Sequence, residues 1–237
     1  MRHSEVESHG LRSHFKRLVF PKGEAPRMIR GGLLQGVMMQ LDFAHHTQRW
    51  LGLYERELDS HFRRLSEGIH TAIDVGASDG MYTLYFLAKT SAQKVLVFEP
   101  DARNLQLLKG NLELNNLARA DRLEIVPARV GASVESGTIT LDSFSHSIVP
   151  PCLIKVDIDG GEVDLLRGAR TLLHLPEMRW IIEVHSKTLE QSCLQMFREA
   201  EYRTEVIPNT WWRHFLPELR PGELNRWLLA CRETGGG

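Results

Sequence analysis

The sequence has few cysteines and no excess of charge of either sign. Its three cysteines, Cys152, Cys193 and Cys231, are far apart and form no Cys-x-x-Cys pattern, which argues against a disulfide framework and against a zinc knuckle. We therefore expect a reduced, cytoplasmic setting. Lysine and arginine together number 29 against 30 aspartates and glutamates, so no net field favours nucleic acid as a partner.

Long apolar runs are also missing. Residues 1–7 contain no apolar signal core, and uncharged runs such as Gly31–Leu41 are too short to span a bilayer. We expect neither secretion nor a membrane anchor. Low complexity is confined to the glycine end at residues 235–237, so the composition is that of an ordinary folded chain.

The chain is long enough to bury one substantial α/β core with a small appendage. Residues 1–26 show no hydrophobic period, which predicts a loosely ordered arm. The β-prone stretch 28–43, interrupted by Gly31 and Gly32, predicts a hairpin around those glycines. We expect the apolar part of this stretch to pack on the domain that follows.

Strand-like and helix-like segments then alternate. Helices are predicted over 54–66, 81–89, from about 105 to 115, over 162–173 and over 189–200. Strands are predicted up to Asp74 and over 94–98, 123–126, 153–156, 180–184, 202–207 and 227–231, with a short strand and a loop within 127–150. This alternation predicts right-handed crossovers and a mostly parallel sheet covered on both faces.

The most informative stretch is Asp74-Val75-Gly76-Ala77-Ser78-Asp79-Gly80. It joins a predicted strand to a predicted helix, where backbone N–H groups and the positive end of the helix dipole can meet a ligand. The pattern lacks the Gly-x-Gly-x-x-Gly of dinucleotide loops. The Asp74 carboxylate disfavours a pyrophosphate and suits a cofactor that carries sulfonium and ammonium groups, as S-adenosylmethionine does.

Two further observations fit that cofactor. Gly76 and Gly80 let the backbone come close to a methionine moiety, where a Cβ would intrude. The second predicted strand ends in Glu99, at the distance from the loop where an acid is expected to accept both ribose hydroxyls. Polar residues also follow the later strands, namely Asp157, Glu183 and His185.

Several segments, in this order and spacing, resemble the FkbM-type family of S-adenosylmethionine-dependent O-methyltransferases. They are Gly52-Leu53-Tyr54-Glu55, residues 74–80, Phe98-Glu99-Pro100-Asp101, residues 107–115, Leu141-Asp142, residues 154–162 with 165–169, and Ile182-Glu183-Val184-His185.

The resemblance implies an α/β, Rossmann-like class I methyltransferase fold. It would have a seven-stranded, mostly parallel sheet, helices on both faces, an N-terminal extension and an antiparallel final strand at 227–231. We predict residues 1–50 as the extension, an arm and hairpin on the substrate side, and 51–234 as the methyltransferase domain. The implied cofactor residues are Asp74, Gly76, Ala77, Ser78, Gly80, Glu99, Pro100 and Asp157.

The sequence departs from the family pattern at three places. Ser78 stands where an asparagine is usual, which keeps a hydroxyl and loses an amide. Asp159 of the stretch Asp157-Ile158-Asp159-Gly160-Gly161-Glu162 replaces a glutamate by a shorter acid. The segment between Val126 and Leu141 is shorter than usual, so the rim that faces the substrate is expected to differ.

Methyl transfer to an alcohol needs a base for the hydroxyl proton. The candidates are Asp157, His185, whose ordinary pKa lies nearest neutral pH, and Lys155; we favour the first two. A pairing of Lys155 with a neighbouring carboxylate and a bond from His185 to a backbone carbonyl are the competing interpretations. A divalent metal held by Asp157, Glu183 and His185 is a lesser option than no metal.

The sequence therefore predicts an O-methyltransferase that acts on a hydroxyl of a small-molecule or glycan acceptor. The alternative is a non-catalytic binding or scaffold module with a cofactor fold. The adjacent His45 and His46 are expected to point apart rather than to form a ligand pair. Trp211 and Trp212 are expected to pack in the core.

Overall fold

The computed structural model describes residues 23–210 and 226–232. Strand β1 (Glu24–Met28) pairs antiparallel with β2 (Met38–Asp42), and the innermost pair is Met28 and Met38. A hairpin is therefore present, but its first strand lies before the predicted stretch 28–43 except for Met28, and its loop is wider than the two glycines. The arm predicted over 1–26 is wrong for 24–26, which belong to β1; the rest of it, apart from Gly23, and the tryptophans at 211 and 212, lie outside the described residues.

The remaining helices and strands follow the hairpin. In chain order they are α1 (Phe43–Leu51), α2 (Asp59–Leu65), β3 (Thr71–Val75), α3 (Met81–Lys89), β4 (Lys94–Phe98), α4 (Ala102–Glu113), β5 (Leu123–Val126), β6 (Arg129–Val130), β7 (Thr138–Ile139), β8 (Cys152–Val156), α5 (Glu162–Arg167), α6 (Arg170–His174), β9 (Met178–Val184), α7 (Lys187–Glu199), β10 (Arg203–Ile207) and β11 (Arg226–Cys231). Short 3-10 helices cover Arg56–Leu58 and Leu141–Ser147.

Seven of the strands form one sheet in the order β10-β11-β9-β8-β3-β4-β5. The five strands from β9 to β5 run parallel, and β11 runs antiparallel to both of its neighbours. Every residue of β3 and β8 is buried, as expected for central strands covered on both faces. The predicted sheet and its antiparallel final strand are confirmed.

The hydrophobic core lies on both faces of this sheet. Successive strand residues point to opposite faces, and accordingly Ala72 and Leu153 belong to one buried cluster while Ile73 and Ile154 belong to the other. The hairpin contributes to the first cluster through buried side chains that include Met39. The prediction that its apolar stretch packs on the domain is confirmed.

Two predicted helices differ from the structure. The helix predicted from residue 54 begins later, because Glu55 has the left-handed φ of 47° and Arg56–Leu58 form a 3-10 turn before α2. The helix predicted over 162–173 is divided into α5 and α6 around Gly168. A Cβ on Gly168 would lie 2.0 Å from the carbonyl oxygen of Gly131, so this close backbone contact separates the two helices.

Backbone contacts between glycines also seat the hairpin loop. A Cβ on Gly52 would lie 2.0 Å from the carbonyl carbon of Gly31, and one on Gly32 would lie 2.9 Å from the oxygen of Gly52. The loop of the hairpin therefore crosses the end of α1 at a distance that leaves no space for a side chain. This contact gives the two glycines of the predicted hairpin a packing role, and Gly32 also adopts the left-handed φ of 70°.

Two asparagine amides, one in α4 and one just after it, hold strand β2 of the hairpin. Asn115 accepts a hydrogen bond from the Met38 N–H (3.0 Å) and donates to the Met38 carbonyl oxygen (2.7 Å). One turn earlier, Asn111 accepts a hydrogen bond from the Gln40 N–H at 2.7 Å. Together the two amides satisfy backbone groups that a further strand would otherwise pair.

In the part of the chain that the structure describes, no helix combines the length and the apolar character needed to cross a bilayer.

Candidate functional site

The loop between β3 and α3 adopts a chain of left-handed conformations. Gly76 has φ 77°, Ser78 φ 50° and Gly80 φ 87°. Gly80 is the N-cap of α3 and contributes no side-chain cap, while the Asp74 carboxylate accepts hydrogen bonds from Thr83 in the first turn of this helix. Asparagine tolerates left-handed φ better than serine does. Ser78, where the FkbM-type pattern usually has asparagine, therefore differs in backbone preference as well as in its side chain.

Glu99 follows β4 and joins this loop. Its Oε2 accepts a hydrogen bond from the Ser78 N–H at 2.8 Å, and its Oε1 accepts one from the Asp101 N–H at 2.9 Å. The residue is 4% exposed. Asn104 Nδ2 makes a longer contact with Oε1 at 3.4 Å. An ionised carboxylate has about four acceptor positions, so acceptor capacity remains, on Oε2 above all, for ribose hydroxyl groups.

The loop is also held from outside the sheet. Arg49 of α1 forms a salt bridge with the Asp79 carboxylate and stacks on the Tyr54 ring, with its guanidinium carbon 4.6 Å from the ring centroid. Asn111, which binds the hairpin through its oxygen, donates through Nδ2 to the Asp79 carbonyl oxygen at 2.8 Å. The candidate cofactor loop is therefore fixed by the N-terminal elements as well as by the sheet.

The glycines of the loop have packing reasons of their own. A Cβ on Gly76 would lie 2.0 Å from the carbonyl oxygen of Asp157, and one on Gly80 would lie 3.0 Å from Cγ of Leu108. Both side-chain positions face protein atoms. These protein atoms belong to Asp157, directly after β8, and to Leu108 of α4; the approach of this backbone to a methionine moiety stays a prediction.

We expect Gly76→Ala to lower the free energy of unfolding by about 1–3 kcal/mol more than Gly137→Ala does, because it adds overpacking against backbone to the same conformational strain. Gly137 is the matched control, since its φ is 74° and a Cβ there would meet nothing within 4 Å. Urea denaturation of both variants measures the difference. Equal losses would show that the contact between Gly76 and Asp157 yields easily.

Asp74 lies behind the loop rather than on its surface. The residue is 2% exposed, and its Oδ2 accepts a hydrogen bond from Thr83 Oγ1 at 2.6 Å. Burial raises the pKa of Asp74 to about 6, against the opposing effects of the Thr83 hydrogen bond and the Lys155 charge. This carboxylate links the end of β3 to the first turns of α3.

Lys155 is a fully buried cation among carboxylates. Its Nζ lies 3.7 Å from Asp157 Oδ2 and 4.0 Å from Glu183 Oε2, and it donates to the Val156 carbonyl oxygen at 3.2 Å. Burial alone would lower the pKa of Lys155, but the charges of Asp157, Glu55, Glu183 and Asp74 raise it overall. The ammonium group therefore keeps its proton at neutral pH.

Tyr82 and Glu55 complete the buried side of this cluster. The Tyr82 ring lies 5.1 Å from Lys155 Nζ, and the Tyr82 hydroxyl donates a hydrogen bond to Glu55. Glu55 is 1% exposed and adopts φ 47°. Burial, followed by the charge and the hydrogen bond of Glu55, raises the pKa of Tyr82 well above its usual range, so the phenol remains a donor.

His185 follows β9 and lies at the open side of the same cluster. Its Nδ1 is 2.7 Å from Glu162 Oε1, while its Nε2 is 3.2 Å from Asp159 Oδ1 and 3.7 Å from Asp157 Oδ1. The hydrogen bond to Glu162 raises the pKa of His185, burial lowers it, and the aspartate charges raise it further. The predicted bond to a backbone carbonyl is replaced by one to a carboxylate.

The structure brings Asp157, Glu183 and His185 together as a possible ligand set. One potential ligand atom from each lies within 4.8 Å of the others. Burial raises the pKa of Glu183 well above its usual range, and the Asp157 charge adds to this effect. His45 and His46 lie apart from this cluster and have ring centroids 6.5 Å from one another.

The strand order, the reversed β11 and the loop after β3 define a class I methyltransferase fold. Comparison with solved structures supports this assignment. The sequence matches no protein-family model and no curated protein.

Among the solved structures, the methyltransferase FkbM from Methylobacillus flagellatus is similar at 22% identity and a TM-score of 0.54; the match covers 68% of this chain and 43% of that one. An rRNA methylase from Streptococcus thermophilus is similar at 12% identity and a TM-score of 0.52, with 76% and 98% covered. A precorrin-6y C5,15-methyltransferase from Geobacter metallireducens is similar at 12% identity and a TM-score of 0.50, with 76% and 88% covered. The resemblance to the FkbM-type family is thus confirmed as a likeness of fold.

Sequence reasoning did not assign roles to three residues of this site, Glu55, Tyr82 and Glu162. Tyr82 reads as an ordinary helix residue, and Glu55 as part of an amphipathic helix that in fact begins later. Glu162 follows Gly160 and Gly161 directly, and an acid at that place after a strand was a signal that could have marked it as a partner for a strand-end residue.

Proposed function

We propose that the protein is an S-adenosylmethionine-dependent methyltransferase that acts on a hydroxyl oxygen of a small-molecule or glycan acceptor. One observation carries the cofactor assignment: the Glu99 carboxylate is fixed by the Ser78 and Asp101 N–H groups beside the glycine N-cap of α3. This arrangement offers acceptors for ribose hydroxyls and donors for a carboxylate in the same place. The class I methyltransferase fold supports it.

In this proposal Glu99 holds the ribose and the loop 76–80, with Pro100 and Asp157, surrounds the rest of the cofactor. Asp74 acts from behind the loop through its negative charge and its bond to Thr83. When bound, the cofactor supplies a methyl group on a sulfonium, and it leaves as a neutral thioether once the acceptor oxygen has taken the methyl group. Holding the acceptor in line in a dry pocket supplies most of the acceleration.

The acceptor hydroxyl must also lose its proton, and Asp157 with His185 is placed to receive it. Asp157 Oδ1 lies 3.7 Å from His185 Nε2, so one position at the strand ends is within reach of both groups. Lys155 keeps its proton and is fully buried, and in this proposal it stabilises the ionised Asp157 rather than acting as the base.

The test is incubation of the protein with methyl-labelled S-adenosylmethionine and fractionated extract, followed by identification of the labelled product. We expect Asp157→Ala and His185→Ala to abolish labelling. Thermal unfolding with S-adenosylmethionine and with NAD measures binding separately, because a ligand that binds the native state raises the unfolding temperature. A shift with NAD alone would overturn the cofactor assignment, and a shift with S-adenosylmethionine without any labelled product would favour the non-catalytic module.

We expect methyl transfer to persist after dialysis against EDTA. The Lys155 ammonium already faces both Asp157 and Glu183, so a divalent cation bound by these carboxylates would be repelled by a buried positive charge. The measurement is the rate of product formation with and without chelator. A loss that magnesium restores would contradict this expectation and would assign Asp157, Glu183 and His185 as metal ligands.

A further inference from the structure

Glu162 is a buried carboxylate that the proposed reaction does not use. It is the first residue of α5 and is 0% exposed, so it lies behind His185 and out of reach of an acceptor. Its Oε1 makes the 2.7 Å contact with His185 Nδ1. A fully buried acid in contact with a candidate base can determine the protonation and the orientation of that base.

The contact determines which imidazole nitrogen carries a proton. An ionised carboxylate can only accept a hydrogen bond, so His185 Nδ1 must be the donor. In the neutral ring the lone pair then belongs to Nε2, the atom that faces Asp157 and Asp159 at the strand ends. The hydrogen bond at Nδ1 therefore determines that Nε2 is the nitrogen able to accept a proton.

We propose that Glu162 is a positioning residue for His185: it holds the ring with Nδ1–H bound and Nε2 directed to the place of the acceptor hydroxyl. The proposal rests on the proposed function and deepens it. The proton taken from the acceptor oxygen goes to Nε2 as the O–CH₃ bond forms and the C–S bond breaks, and the resulting imidazolium is stabilised by Glu162 behind it.

Charged groups face His185 from each neighbouring segment. Asp157 and Asp159 lie in the loop after β8, Glu162 lies in α5, and Glu183 lies two residues earlier in the same strand end. From α7 the Cys193 thiol faces Glu162, and burial raises the pKa of that thiol, so it stays neutral. Together these acids favour the protonated ring, and the base form of His185 is therefore expected above the ordinary histidine pKa.

The direct test is ¹⁵N NMR of protein labelled at histidine, recorded over a pH titration. In the wild type we expect the neutral His185 ring to carry its proton on Nδ1. In Glu162→Gln we expect the His185 titration to move to lower pH, because the amide lacks the charge that stabilises the imidazolium. Glu190→Gln is the matched control: Glu190 is a buried acid of α7 whose Oε1 lies 2.7 Å from Arg226, and we expect no change in His185 there.

A kinetic measurement follows from the same proposal. In Glu162→Gln we expect the acidic limb of kcat to move to lower pH and the plateau of kcat to fall about tenfold or more, with the affinity for S-adenosylmethionine unchanged. Glu162→Asp restores the charge and should return the limb toward the wild-type position. A merely structural acid would alter stability without moving the limb.

A neutral ring protonated on Nε2 in the wild type would overturn the proposal, and so would a His185 titration that is unchanged in folded Glu162→Gln. The wild-type spectrum decides the tautomer even where neither variant folds. The wild-type spectrum reports the His185 tautomer even if the protein methylates no acceptor. Failure of this proposal can therefore be distinguished from failure of the proposed function.

Discussion

Glu99→Ala is expected to lower the affinity for S-adenosylmethionine by about 100-fold. Each hydrogen bond to a charged group contributes about 1.5–3 kcal/mol, and two ribose hydroxyls bound to one carboxylate give at least about 3 kcal/mol, or about two factors of ten. Removal of Glu99 also releases the N–H groups of Ser78 and Asp101. Isothermal titration calorimetry with the cofactor measures the effect.

The control for this substitution is Glu124→Ala on the neighbouring strand β5. Glu124 pairs with Lys94 at 3.2 Å, and its side chain is 47% exposed, so we expect its removal to leave cofactor affinity unchanged. Glu99→Gln, which keeps one acceptor oxygen and the shape, should fall between the wild type and Glu99→Ala. Wild-type affinity in Glu99→Ala would refute the placement of the ribose.

Lys155→Met is expected to lower the free energy of unfolding by about 3–5 kcal/mol at pH 8, because it leaves buried carboxylates without their cation. The loss should shrink as the pH falls. Without Lys155 the folded-state pKa of Asp74 rises further above its unfolded value, so the variant binds protons on folding and loses stability as the pH increases. Urea denaturation at pH 5 and pH 8 measures both effects.

Lys94→Met provides the comparison. Lys94 is a partly exposed lysine of β4 whose ion pair lies at the surface, and such pairs contribute less than about 1 kcal/mol. We expect a small loss that is the same at both pH values. If Lys155→Met behaved in the same way, the buried cluster would not depend on its cation.

The sheet could be predicted from the sequence because its strands are mostly apolar runs that end in polar residues. Residues 95–98 are apolar and precede Glu99, and residues 153–156 are apolar except for Lys155; tertiary packing did not alter their assignment. Helix ends were less predictable. Where α2 begins depends on the left-handed backbone of Glu55, and where α5 ends depends on the contact between Gly168 and Gly131; both are set by distant parts of the chain.

The candidate site was predictable where its residues lie at the ends of strands: Asp74 is near the end of β3, and Glu99, Asp157 and His185 directly follow their strands. Parallel strands bring their carboxyl ends to one edge, so the sequence positions imply proximity. The partners of these residues were not predictable in this way. Glu162 reaches His185 from a helix, and Tyr82 reaches Lys155 from another; pairings between elements depend on the three-dimensional packing, which periodicity does not encode.

The contacts of Asn111 and Asn115 with the hairpin determine how much of the chain is needed for a stable domain. A chain that began at residue 51 would keep every strand of the seven-stranded sheet. It would nevertheless uncover the core side chains that Met39 and Leu41 now cover, and it would leave Asn111 and Asn115 without their hairpin partners. It would also remove Arg49 from Asp79. The hairpin is therefore part of the folded domain, and residues that precede the sheet in the sequence help to hold the loop after β3 in place.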